Sequence, residues 1–143
     1  MRRFLSVLAL LLMTACGSAE PANTTSSQPP TISPSSPAAG GAGCADVVAA
    51  TIESAGSEFT ISATVSSADT GWDKYADLWE VRTQDGKVIG ERVLAHPHVN
   101  EQPFTRSLSG VAIPDGESQI VIAARDSVAG FCGATFTLDV VRR

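Results

Sequence analysis

The feature that most constrains this chain is a strict two-residue alternation between positions 58 and 66. Phe59, Ile61, Ala63 and Val65 fall on one side of an extended backbone, and Glu58, Thr60, Ser62, Thr64 and Ser66 on the other. Successive side chains of a strand point to opposite faces, so this spacing makes a strand with one buried and one wet face. A helix would repeat its apolar stripe every three to four residues instead. The alternation returns late in the chain, where Ala134, Phe136, Leu138 and Val140 interleave with Thr135, Thr137 and Asp139. Further strands are expected at about 46–53, 75–83, 87–95, 105–113 and 118–125. Gln84-Asp85-Gly86-Lys87 and Pro114-Asp115-Gly116 separate some of them with residues that tolerate the positive φ of tight turns. No stretch carries a helical stripe. The expected fold is therefore all-β, an immunoglobulin-like or fibronectin-type antiparallel β-sandwich of about seven strands.

The first 43 residues belong to a different regime. Arg2 and Arg3 precede an apolar run from Phe4 to Met13, which is ten residues long and too short for a bilayer core that needs about 20. Met13-Thr14-Ala15-Cys16-Gly17 follows at once and resembles the lipobox of bacterial lipoproteins, with Met13 where such signals usually carry Leu. The resemblance implies a signal peptide over 1–15, removed on export, and a diacylglycerol anchor on Cys16. In residues 17–43, 23 of 27 positions are Pro, Gly, Ser, Thr or Ala. Such a segment buries too little apolar surface to offset its ordering entropy, so 16–43 is expected to be a lipidated N-terminus and disordered linker. Asn23-Thr24-Thr25 matches a glycosylation acceptor by chance. Residues 44–143 form the expected sandwich domain.

Beyond the signal, 15 acids face 8 bases with no basic run, which argues against nucleic acid as a partner. No Gly-rich phosphate loop, Cys-x-x-Cys pair or Gly-x-Ser-x-Gly turn is present. If seven strands alternate in direction, Cys44 at the start of the first and Cys132 before the seventh meet at one end. With Cys16 taken by lipid, an exported chain is expected to join them as a disulfide.

The same parity gathers three loops at that end: 67–74, 96–104 and 126–133. They carry the candidate ligand-binding residues Trp72, His96, His98, Asn100, Glu101, Phe104 and Asp126, together with Asp73 and Phe131. Loops on a rigid scaffold are where binding residues concentrate. Trp79 reads as core, whereas Trp72 is either packed or presented, and an exposed Trp72 favours a binding surface. Asp77 is expected on the Trp79 face, needing a partner such as Arg106 or Arg125. His96 and His98, at i and i+2 of an extended run, can offer two imidazoles to one ion, with Glu101, Asp73 or Asp126 completing the shell. Copper(II) or zinc would suit those donors. The plainer alternative is a loop stiffened by Pro97 whose imidazoles bond to backbone carbonyls. Ser127, His96 and Asp126 make a hydrolytic triad on paper only, since no oxyanion hole or strained nucleophile turn accompanies them, and no enzymatic activity is expected.

The runs Trp72–Val81 (WDKYADLWEV) and Arg92–Gly110 (RVLAHPHVNEQPFTRSLSG), with Ala124-Arg125-Asp126-Ser127, resemble a family of exported, largely uncharacterised bacterial proteins. That resemblance implies a shared site without naming an activity. Cys132 stands in a stretch that the resemblance associates with glycines, which makes the disulfide a local addition. The leading expectation is a lipid-anchored cell-envelope module, outside the cytoplasm, whose loop end binds a protein, envelope polymer or small ligand, with no cofactor. The alternative is a copper or zinc lipoprotein using the His-Pro-His loop.

Overall fold

The computed structural model describes residues 41–142; the expected signal, Cys16 and the linker as far as residue 40 lie outside the described residues. Seven strands follow in order: β1 (Asp46–Ala55), β2 (Glu58–Ser66), β3 (Ala76–Thr83), β4 (Val88–Val93), β5 (Phe104–Val111), β6 (Gln119–Asp126) and β7 (Phe136–Asp139). They form two antiparallel sheets, ordered β1-β2-β5 and β4-β3-β6-β7, and no helix occurs among the described residues. This is the β-sandwich that the alternation requires. In a constant-type immunoglobulin domain the fourth strand lies beside the fifth, in the sheet of the first and second. Here a tight turn at 84–87, with Gly86 at φ 89, folds β4 back onto β3 and keeps it in the other sheet.

The two inner faces meet as predicted by parity. Phe59, Ile61, Ala63 and Val65 of β2 pack with Trp79 and Val81 of β3, Ile120, Ile122 and Ala124 of β6, and Phe136 of β7. Each large apolar side chain so removed from water contributes about 1.5–3 kcal/mol against chain entropy. On the outer face of β2 and β5 the hydroxyls pair across the strands: Ser62 with Ser107 and Thr64 with Thr105, both at 2.8 Å, and Thr60 with Ser109 at 3.2 Å.

Two departures from simple alternation matter. The register of β3 against β6 shifts between Ala76 and Leu78, so Ala76, not Asp77, is buried with Trp79 and Val81. Asp77 is thereby turned from the core face on which alternation would place it, and Arg125 holds it through two bonds of 2.9 and 2.7 Å. Ala134, expected to begin the last strand, pairs instead across the sandwich: its carbonyl accepts from Val47 N at 2.9 Å and its N–H donates to Asp46 Oδ1 at 2.7 Å. The expected disulfide lies beside this crossing, with Cys44 and Cys132 joined, their Cα atoms 5.5 Å apart and 88 positions apart in sequence. Gly133 is what permits so close an approach, because a Cβ there would sit 1.9 Å from the carbonyl oxygen of Ala45.

Candidate functional site

Buried acids build the end of the sandwich that carries the longer loops. Asp126, fully buried at the end of β6, accepts from the N–H groups of Val128 and Ala129 at 3.0 and 2.9 Å through Oδ1. Its Oδ2 accepts from Lys74 Nζ at 2.5 Å. Burial works against the charge of this carboxyl, but the Lys74 ammonium and the Ala129 and Val128 N–H groups outweigh it and hold the group below the usual carboxylate range. Ser127 strengthens the same link, exchanging bonds with the backbone of Tyr75. Asp69 does for the next loop what Asp126 does for this one. Its Oδ1 accepts from Ala76 N at 2.9 Å and its Oδ2 from His98 N at 2.8 Å. Gln102 adds a clasp, accepting from Ser67 N at 2.9 Å and donating to the His98 carbonyl at 3.1 Å. The three loops expected at one end are therefore joined in a row: 96–104 to 67–74, and 67–74 to 126–133.

The candidate residues divide into those that build this end and those that it presents. Trp72 is 70% exposed, standing edge-on to Tyr75 with ring centroids 5.8 Å apart. His96, Asn100 and Glu101 are also exposed. Phe104, expected on the surface, is instead part of the core, because the inward face of β5 begins with it. His98 is 3% exposed and stacks on Phe104 at 3.8 Å, with the His96 ring 4.5 Å away on tilted planes. Burial, reinforced by the Arg106 and His96 charges, lowers the His98 pKa against the opposing pull of Glu101 and Asp69. Neutral imidazole is therefore its resting form near pH 7.

His96, His98 and Phe104 thus form one stack, while Trp72 and Asp126 belong to a second cluster reached through the Asp69 loop. Glu101 is held by Arg106 Nη2 at 2.9 Å. His96 Nδ1 lies 3.1 Å from the carbonyl of Pro97, the kind of backbone partner that a stiffened loop implies. Among the described residues, no group of three or more His, Cys, Asp and Glu side chains gathers where an ion could be held.

Sequence reasoning passed over Asp69, Lys74, Gln102 and Arg92, and cast Arg106 only as a possible partner of Asp77. Asp69 reads as an ordinary turn residue in Ser66-Ser67-Ala68-Asp69-Thr70, and only its burial discloses its work. Lys74 carried a usable signal, being the one cation in its loop and opposite a loop that begins with an acid.

Comparison with known proteins gives one point of contact. The chain is similar to a Halomicrobium mukohataei protein described as a "Putative lipoprotein", at 38% identity over 96 residues. The match takes in 66% of this chain and 47% of that protein, so the chain spans about half the length of the curated relative it matches. No family model matches the chain, and no solved structure matches it.

Proposed function

We propose that this chain is a non-enzymatic envelope lipoprotein, anchored through Cys16, whose sandwich presents its loop end to an envelope protein, polymer or small ligand. The observation that carries the binding reading is the contrast between Trp72, 70% exposed, and the buried acids that fix its loop. A large apolar ring on a rigid support contributes to binding without first paying an ordering entropy. Export and anchoring are supported by the signal segment, by the disulfide, which persists in oxidising compartments, and by the relative's description. Two experiments test the reading. Cys16→Ala should move the protein from the membrane fraction to the soluble fraction; retention on membranes after a salt wash would refute the anchor. A photoreactive residue in place of Trp72 should give a discrete crosslinked product in cells, and one in place of Gly116, in a far-end turn, should not. Equal products from both positions, or none from Trp72, would refute the loop-end site.

Copper or zinc binding has less support. The paired imidazoles favour it, but Glu101 is engaged by Arg106, and a second guanidinium, Arg92, lines the same cavity as both rings. Metal analysis of wild type beside the His96→Ala, His98→Ala double variant decides between the readings.

A further inference from the structure

The sandwich has an open side where the edge strands of its two sheets, β4 and β5, face one another. At Gly90 they come close: a Cβ there would lie 2.9 Å from Leu108 Cδ2 and 3.4 Å from Val111 Cγ2. Two positions on along β4 and two positions back along β5, parity puts Arg92 and Arg106 on these same inward faces. The strands part there around a cavity of about 100 Å³, lined by both arginines, both histidines and an apolar wall that includes Leu94. A cavity of that size accepts a few waters or one small ion.

Its electrostatics run against those of the whole protein. The chain has a formal charge of -5, yet two arginines line this one small cavity. Glu101 balances only one of them. Arg106 gives Nη2 to Glu101 and Nη1 to the Thr105 carbonyl, and among the described residues Arg92 has no ion-pair partner. His98 lines the same cavity, 3% exposed, and its Nδ1 is buried without a hydrogen-bond partner. An unsatisfied buried polar atom is costly, and a ligand that satisfies it recovers that cost on binding.

We infer that the mouth between β4 and β5 is a binding site for a small oxyanion, a carboxylate or a phosphate group, held by Arg92 and Arg106 and capped by His98. Guanidinium forks match both groups, and charge-assisted bonds in a partly desolvated cleft are the strong kind. A neutral His98 ring keeps one N–H to donate as a third bond without carrying charge, consistent with its lowered pKa. The small volume admits the anionic head of a ligand and leaves its remainder outside, toward the exposed His96. This rests on the loop-end reading above and gives the ligand of its histidine-bearing part a chemical class.

The experiment is NMR titration of the full chain with sodium acetate and, separately, inorganic phosphate, at constant ionic strength with chloride as control. Saturable shifts are expected at the Arg92 side-chain N–H and the His98 ring with at least one of the two ions, and the tighter one identifies the head group. Arg92→Gln, an exposed change at a strand edge, should weaken that ion about tenfold while the rest of the spectrum stays in place. Trp72→Ala should leave it unchanged. Linear shifts equal to those from chloride, or wild-type affinity in Arg92→Gln, overturn the oxyanion site. The Trp72 crosslinking experiment is independent of these ions, so a loop-end partner captured without oxyanion binding refutes this inference alone.

Discussion

Two glycines offer a sharp test of how the sandwich is held together. Gly133 does not have the left-handed backbone that favours glycine, so replacing it by alanine tests contact and not conformation. The new Cβ would lie 1.9 Å from the Ala45 oxygen and 2.5 Å from its carbon. A relaxed C···O contact is about 3.3 Å, so two backbones must part by roughly 1.4 Å. That movement stretches the Val47–Ala134 and Ala134–Asp46 bonds beside it, now 2.9 and 2.7 Å, beyond useful length. Losing one neutral bond and one to a half-buried carboxylate costs about 2.5–4 kcal/mol. The reduced entropy of the unfolded alanine chain returns about 0.4–1 kcal/mol. The net loss, about 2–3 kcal/mol, lowers the melting temperature of a domain this size by roughly 10–20 °C. Gly90→Ala is the matched control. Its Cβ meets the end of the Leu108 side chain at 2.9 Å, which can turn aside, so stability should stay within about 1 kcal/mol of wild type. Urea unfolding and thermal melts of the purified full chains measure both. If Gly133→Ala unfolds within about 3 °C of wild type, or Gly90→Ala proves the worse, the close-approach reasoning fails.

Replacing Cys44 and Cys132 together by serine releases a closure of 88 positions and should cost about 4–5 kcal/mol in the loop-entropy view, read as a lower urea midpoint; a change below about 1 kcal/mol would contradict it. Asp126→Asn removes the charge that faces the partly exposed Lys74 and should destabilise by about 1.5–3 kcal/mol in the same assay. Because its folded pKa is depressed, the Asp126 contribution is full above the unfolded value near 3.9 and is lost as pH falls through the lower folded one. Acid unfolding should accordingly be less steep in Asp126→Asn below about pH 4, and an unchanged slope would refute the assignment. Trp72→Ala should alter stability by less than about 0.5 kcal/mol, since the ring is largely exposed; a larger loss would make Trp72 structural.

Much of this fold is legible from spacing because burial imposes period two on any strand with one wet face. β2 shows it without interruption, and its inward residues are those that alternation names. Alternation fails at Asp77 because one extra residue in a bulge reverses the parity of what precedes it, and no local composition marks the insertion. The sheet assignment of β4 was available from the Asp85-Gly86 turn, which is too short to carry the chain across a sandwich about 10 Å thick. The same thickness gives a plain reason for the lengths of the loops before β3 and β5, both of which change sheets. Length that looks functional in the sequence is partly the reach between layers. The candidate residues were legible as a neighbourhood, since strand direction sets which loops share an end. Their roles were not, because presentation and burial within a loop depend on tertiary bonds such as Asp69 to His98. The arginine-lined mouth was hidden for a related reason: it lies between strands of different sheets, and parity within one strand does not say what faces it.

The disulfide also decides how the domain bears load. A domain held by its N-terminal side receives tension at Cys44, next to the strand edge where Asp46 pairs with Ser66. Without a cross-link that pull would peel β1 from β2 pair by pair, the direction in which a ladder is mechanically weakest. With it, tension passes from Cys44 directly to Cys132 and leaves along the residues beyond. The 88 positions between them amount to about 300 Å of extended chain that cannot be drawn out while the sulfurs stay joined. For a pull between Cys44 and the residues after Cys132, β1 through β6 and the loops that they support sit outside the force path, so such a pull leaves the loop end in shape.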